Sequence, residues 1–374
     1  MKKIGILTFH NSINFGAALQ CTALSETLRT LGYDVTVINY LPKYSVNGWK
    51  AFQNPFYQLS KLNGLKTNLK IFLRALKSNL RYFQKKKKKD AFSLYWKRHF
   101  KLTEPFCDQK EADVIFDQFD VVICGSDQIW NPDCTGGNID PVYFLGTNTY
   151  AKKVAYAPSL GGKKDDSFFN KVMPYLESFS SLSVREQSSC DQLKQHGIQK
   201  IETVLDPTLL LNINDWNRIL KKSEVPYTKY ILVYTLDYCP ELSTTLQKIN
   251  ENSNLTVIDI SANSSKLNVK HIKKRSLSPD EFFYYIGNAD LVLTNSFHAV
   301  VFSVIQKVNF IAFTRNGMES RLSDFLNYCG LSEHLFDTVR QNISLDGEFD
   351  YEAAAKLIEN KKVESMIYLT EAIK

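Results

Sequence analysis

Six stretches of the chain set polar, reactive side chains directly behind apolar runs. His298 stands in Thr294-Asn295-Ser296-Phe297-His298-Ala299, between one apolar run and the next. A histidine there can take or give a proton near neutral pH; a satisfied buried histidine is the plainer account. Arg185 follows Ser183-Val184, and its forked guanidinium suits a phosphate or carboxylate. A surface pair with Glu186 competes with that role. Gly125-Ser126-Asp127-Gln128-Ile129-Trp130 crowds a carboxylate, an amide and an indole, as a sugar-binding corner would. The alternative is an Asx-type turn beside a core tryptophan. The loop from Thr8 to Gln20 carries His10, Asn14 and Gly16 and runs into a helical pattern. Free N–H groups at a helix start hold an anion or a sugar hydroxyl, unless Asn14 and Gly16 only cap the helix. Arg315 and Arg321 follow a later apolar run, either as a second anion clamp or as surface charges. Asp206-Pro207-Thr208 reads more simply as a turn.

The elements that must position these residues alternate. Lys3–Phe9, Val35–Asn39, Phe119–Cys124, Lys152–Ala157, Ser181–Val184 and Ile201–Leu205 read as buried strands. Ala17–Leu31 has helical spacing and ends at Gly32. A second series follows: Tyr230–Leu236, Leu255–Ile260, Ala289–Leu293 and Asn309–Phe313. Alternating strands and helices predict an α/β fold with parallel sheets. Two series of similar size predict two facing Rossmann-like domains, over 1–213 and 226–345, with a basic helical insertion at about 50–110. A helical segment over 346–374 can pack back on the first domain, with Ala353, Ala354, Leu357 and Ile358 on one face. Ligands of such sheets bind beyond the carboxyl ends of the strands, which is where the six stretches fall.

Charge is concentrated rather than spread. The 374 residues carry a formal net charge of +7, yet residues 61–101 hold fourteen Lys or Arg against Asp90 alone. Elsewhere 32 basic residues face 38 acidic ones. The apolar residues Leu62, Leu65, Leu69, Phe72, Leu73, Leu76, Leu80 and Phe83 recur at helical spacing inside this segment, making it a basic amphipathic helix. An anionic membrane surface is its expected partner. Few aromatics interleave with the charges, so nucleic acid is not an expected partner. With 44% hydrophobic residues the chain can bury large cores, which excludes wholesale disorder. Seven scattered cysteines without a C-x-x-C pair read as reduced packing residues of a cytoplasmic protein and give no metal site. No window is long and apolar enough to span a bilayer.

Taken in order, Phe9–Gln20, Gly125–Pro132, Ala155–Ser159, Ser183–Glu186, Leu205–Leu210 and Thr294–His298 resemble the motifs of the polysaccharide pyruvyl transferase family. The resemblance spans roughly residues 3–330. It implies a fold like the metal-independent GT-B glycosyltransferases, and no cofactor. It also implies transfer of pyruvate from phosphoenolpyruvate to two hydroxyls of a saccharide, forming a ketal during bacterial capsule or exopolysaccharide synthesis. The saccharide can be carried on a lipid diphosphate, which would set the protein peripherally at the inner face of the cytoplasmic membrane. The family's arginine falls on Arg185 and its histidine on His298. Asn14, Gly16, Asp127, Gln128, Trp130, Asn295 and Ser296, with His10, Arg315 and Arg321, are the expected substrate contacts. Some members carry arginine and glycine where this chain has Ser296 and Ala299, which is why Arg315 or Arg321 is expected to supply an anion contact. Two other functions compete: a GT-B-like glycosyltransferase using a nucleotide sugar, and a non-enzymatic binder of acidic polymers.

Overall fold

The structure, a computed structural model, describes residues 1–44, 68–73, 82–261, 266–314, 319–336 and 351–374, with the backbone alone at 319 and 320. Strands β1 (Lys3–Leu7), β2 (Asp34–Val37), β3 (Val121–Cys124), β4 (Lys152–Ala155), β5 (Ser181–Val184) and β6 (Glu202–Thr203) form one sheet, ordered β2-β1-β3-β4-β5-β6. Strands β7 (Tyr230–Tyr234), β8 (Thr256–Asp259), β9 (Ile272–Lys273), β10 (Leu291–Thr294) and β11 (Phe310–Ala312) form the second, ordered β11-β10-β7-β8-β9. Every pairing is parallel. Their apolar runs are continuous because helices cover both faces. β9 escaped the sequence reading, since two exposed residues make no apolar run.

Between the strands run α1 (Phe15–Thr30), α2 (Tyr82–His99), α3 (Gln109–Phe116), α4 (Asp166–Leu176), α5 (Gln187–Gln195), α6 (Ile213–Ile219), α7 (Pro240–Glu251), α8 (Pro279–Gly287), α9 (Phe297–Ile305) and α10 (Glu319–Tyr328). Helix α1 starts two residues before the expected Ala17, because the side chain of Asn14 caps it by accepting from the Ala17 N–H.

One apolar cluster crosses between the two units. Phe15, Ala18 and Leu19 of α1 pack with Phe282 and Phe283 of α8 and with Val300 of α9. The Phe15 and Phe282 rings stack at 4.4 Å. Helix α2 reinforces the junction: Phe92 and Tyr95 join this cluster, and Arg98 bonds Asp280 at 3.1 Å. Within the lysine run, Lys88 does not face outward. Its Nζ lies 4.7 Å from the centre of the Phe15 ring. Of the expected amphipathic stretch, Leu69, Leu73 and Phe83 are described and exposed, while Leu62, Leu65, Leu76 and Leu80 lie outside the described residues.

The last helix, α11 (Tyr351–Ile373), spans both units. Its start meets the second, through Tyr351 Oη donating to the Val308 carbonyl. Its end meets the first, where Tyr368, Leu369, Ala372 and Ile373 pack with Ile4, Ile6 and Leu24. The inward stripe begins at Ala354 and Ile358; Ala353 and Leu357, expected on the same face, are exposed. One residue turns a helix by about 100°, which takes 353 and 357 off the stripe that the C-terminal turns require.

Candidate functional site

The carboxyl ends of strands from both sheets converge at the junction. There Asn14, Asp127, Gln128, Leu236, Asn295, Ser296, Phe297, His298, Arg321 and Leu322 line a pocket. Seven of these ten were singled out in the sequence, because strand ends are where an α/β sheet leaves its polar side chains uncovered.

At the centre is Asp206, which sequence reasoning had read as a turn residue. It does cap a turn: Oδ1 accepts from the Thr208 N–H at 3.0 Å and from Thr208 Oγ1 at 2.7 Å. Oδ2, however, accepts from Arg185 Nη1 at 2.8 Å and from Ser126 Oγ at 3.3 Å. His298 Nε2 lies 3.5 Å from the same oxygen. Burial alone would raise this carboxyl's pKa, but the facing His298 and Arg185 and the bond from Thr208 hold it well below the usual carboxylate range. Two signals could have found it: its place after a strand and its position inside the Leu205–Leu210 motif.

Arg185 is equally buried. Nε donates to Glu186 Oε1 at 2.9 Å, and the guanidinium carbon lies 4.5 Å from the centre of the Phe297 ring. The Arg185–Glu186 pair is therefore real, but its side chains are each only 3% exposed, so it is no surface pair. Burial works against the Arg185 charge, yet Glu186 and Asp206 raise its pKa further above its ordinary value. Nη2 of Arg185 is buried and has no hydrogen-bond partner among the described residues. An unpaired charged donor in the interior is costly, and a ligand anion would relieve it. Arg321 Nε stands 3.6 Å from Glu186 Oε1, so both arginines share that carboxylate. A second cavity, of about 170 Å³, opens on the Arg185 side and is lined by Arg185, Asp206, Phe297, Arg321, Phe325 and Tyr328 among others.

His298 sits in the first turn of α9, whose N-cap Ser296 makes no side-chain cap bond. No side chain caps that helix N-terminus, and Ser296, Phe297 and His298 at its start line the pocket. Opposite the imidazole is Gly16, where an added Cβ would stand 2.0 Å from Nδ1. Gly16 thus serves by lacking a side chain. Asn295 fastens the loop after β10, accepting from the Leu236 N–H at 2.8 Å. Asp127 holds a left-handed backbone (φ 77°) and accepts from the Gln128 N–H at 2.8 Å. That bond reaches only the next residue, one short of the contact that defines an Asx turn, and it leaves Asp127 on the pocket wall.

Two expected contacts are placed elsewhere. Trp130 is buried in the core of the first unit, stacked on Phe144 at 5.1 Å, with Nε1 donating to the Tyr143 carbonyl. The strand-end geometry aims residue 130 into the layer under α4 rather than at the pocket. Both ring nitrogens of His10 are engaged, by the Thr8 carbonyl and by Asn39 Oδ1 at 3.0 Å. Burial lowers its pKa, favouring the neutral form despite those two bonds. Arg315 lies outside the described residues. Among the described residues no three His, Cys, Asp or Glu side chains gather as metal ligands do, and no helix is long and apolar enough to cross a membrane.

The sequence profile of the polysaccharide pyruvyl transferase family matches residues 14–317. No curated protein sequence matches. Among solved structures, a protein assigned as a UDP-N-acetylglucosamine 2-epimerase from Listeria monocytogenes superposes with a TM-score of 0.52 at 11% identity, covering 99% of this chain and 90% of that one. The S. aureus MnaA–UDP co-structure gives a TM-score of 0.49 at 11% identity, over 98% and 91% of the two chains. The Methanocaldococcus jannaschii UDP-GlcNAc 2-epimerase gives 0.44 at 16% identity, over 96% and 92%. With the two parallel sheets, the Listeria likeness makes the fold the two-domain, Rossmann-like arrangement of GT-B enzymes.

Proposed function

The chain belongs to the polysaccharide pyruvyl transferase family, and from that premise we propose that it moves the pyruvyl unit of phosphoenolpyruvate onto two hydroxyls of a saccharide. The observation that carries the reading is the buried Asp206–Arg185–His298 cluster, with one guanidinium nitrogen left unpaired. The donor carries a carboxylate and a phosphate, and Arg185 and Arg321 are suited to hold them. Glu186 and Asp206 already offset the two arginines. The spare Nη2 of Arg185 and the N-terminus of α9 then supply the donors that a polyanion needs.

The chemistry balances with these groups. A proton is added to the donor's methylene carbon, making it a methyl group. One sugar hydroxyl bonds to the neighbouring carbon and loses its proton. Phosphate leaves with the C–O bond electrons, and the second hydroxyl closes the ketal. Two hydroxyl protons are released; one matches the proton placed on carbon and the other goes to phosphate. His298, at the boundary of the pocket, is our acid/base for these transfers. Asp206 is a positioning residue that holds both His298 and Arg185. Asn14, Asp127, Gln128 and Ser296 form a polar wall suited to sugar hydroxyls. The product fits bacterial capsular or exopolysaccharide assembly on a lipid-linked acceptor.

The test is incubation with labelled phosphoenolpyruvate and a panel of synthetic lipid-linked saccharides. The expected result is an acid-labile mass increment on the saccharide with release of inorganic phosphate. Phosphate release without label on any saccharide, or no turnover across the panel, would overturn the reading.

A further inference from the structure

A second basic run, distant in sequence from the first, joins it at the domain junction. Edge strand β9 and its flanks read Lys270-His271-Ile272-Lys273-Lys274-Arg275. Ser276 Oγ donates to the Gln84 carbonyl at 3.2 Å, seating this flank against the first turn of α2. One turn further along, Lys88 faces inward over Phe15, and burial, then the nearby Arg275, pushes its pKa down to about 8. The two runs are thus close enough to feel each other's charge.

Five further lysines of the two runs point to solvent, while Lys274 lies over the Tyr227 ring. Lys86, Lys87, Lys89, Lys270 and Lys273 are exposed, and none of them forms an ion pair among the described residues. The neighbouring carboxylates are spent elsewhere. Asp280 takes Arg98, Asp259 takes Arg275, and Glu281 closes the capping box of α8. Asp90 is the only acid within α2. Amid these charges Phe83 is 82% exposed and Ile272 38% exposed. Uncompensated lysines around exposed apolar side chains are the composition of an interfacial membrane contact.

We propose that this composite seam, formed jointly by α2 and residues 270–275, is the surface on which the protein docks to an anionic lipid bilayer. The residue types favour lipid over nucleic acid. Both arginines at the seam are held by carboxylates, leaving lysines, which respond to diffuse surface charge rather than reading bases or phosphates in a forked geometry. Because each unit contributes one run, docking engages both units at once. The single basic arm seen in the sequence is only half of the surface.

Co-sedimentation with phosphatidylcholine vesicles, with and without phosphatidylglycerol, tests this on the full chain. The parent is expected to bind only the anionic vesicles, and added salt is expected to release it. K86E/K87E and K270E/K273E are each expected to weaken partitioning roughly thirty-fold or more, since each basic residue at such a surface contributes about a fivefold factor. K270Q/K273Q, which cannot repel the surface, is expected to weaken it in the same direction, and circular dichroism checks the fold of every variant. Unchanged binding by K270E/K273E would overturn the composite seam. Equal binding to neutral vesicles, or tighter binding of duplex DNA than of anionic vesicles, would overturn the lipid assignment. The assay holds neither donor nor saccharide, so its outcome is independent of the pyruvyl transfer reading.

Discussion

The imidazole of His298 lies against the backbone of Gly16, so close that a methyl group on Gly16 would stand 2.0 Å from Nδ1. The two residues come from different sheets' helices, α9 and α1, so this contact fixes the histidine between the two units. Gly16→Ala is expected to push the ring aside and lower pyruvyl transfer at least tenfold. Stability should move little. Alanine gains about 1 kcal/mol of helix propensity, and the overpacking costs about 1–3 kcal/mol. Thermal melts beside activity assays check this; full activity with His298 undisplaced would contradict it.

His298→Asn removes the proposed acid/base while keeping a polar side chain. Loss of general acid–base catalysis costs roughly 10²–10⁴ in rate. The expected outcome is a fall of that size in kcat, with donor binding by calorimetry largely retained. Near-normal turnover would take His298 out of the chemical step.

Asp206 links stability to pH. Its folded pKa is depressed, so its contribution is complete above the ordinary carboxylate range and is lost as pH falls through that range and below. The parent should therefore lose stability progressively below about pH 4, and Asp206→Asn should flatten that part of the curve. Asp206→Ala removes one of the two carboxylates that hold the buried Arg185 charge, leaving Glu186 alone, and should cost about 3–5 kcal/mol near neutral pH. Urea unfolding across pH measures both. An identical acid limb in parent and Asp206→Asn would refute the linkage.

Arg185→Lys keeps the charge but loses the fork that reaches Asp206 and Glu186 together and leaves Nη2 over for a ligand. A charged hydrogen bond is worth about 1.5–3 kcal/mol, so the donor's KM should rise roughly ten- to a hundred-fold. The KM for saccharide should change far less. An effect confined to the saccharide would move the donor away from Arg185.

Trp130→Phe tests the tryptophan's place in the core. Loss of the Nε1 bond to Tyr143 and of part of the stack on Phe144 should cost about 1–3 kcal/mol. The saccharide KM should stay within twofold, about the scatter of such a comparison. A selective rise in that KM would return Trp130 to the sugar pocket.

The sequence was most legible where a local pattern decides the outcome. Buried parallel strands are continuous apolar runs, so ten of the eleven strands among the described residues were visible, and the two-residue β9 was not. Strand ends in such sheets collect polar residues, so Asn14, Asp127, Gln128, Asn295, Ser296, His298 and Arg321 were found before any contact was known. Trp130 and His10 sit at strand ends too, yet side-chain direction after a strand depends on backbone turns that residue types do not reveal. Asp206 was passed over because its local role, capping Thr208, is genuine and hides the distant one.

By itself, then, the sequence determined two α/β units, the order of their strand-end motifs and the family that those motifs mark. These follow from hydrophobic periodicity and short-range spacing, which act over a few residues. Only the tertiary structure decided that Asp206 joins Arg185 to His298, that Gly16 makes room for the ring, and that residues 270–275 extend the basic run of α2. Each of those is a meeting of segments from 21 to 282 residues apart, and it is set by how two sheets pack against a shared apolar cluster. A chain's local pattern carries no record of that packing.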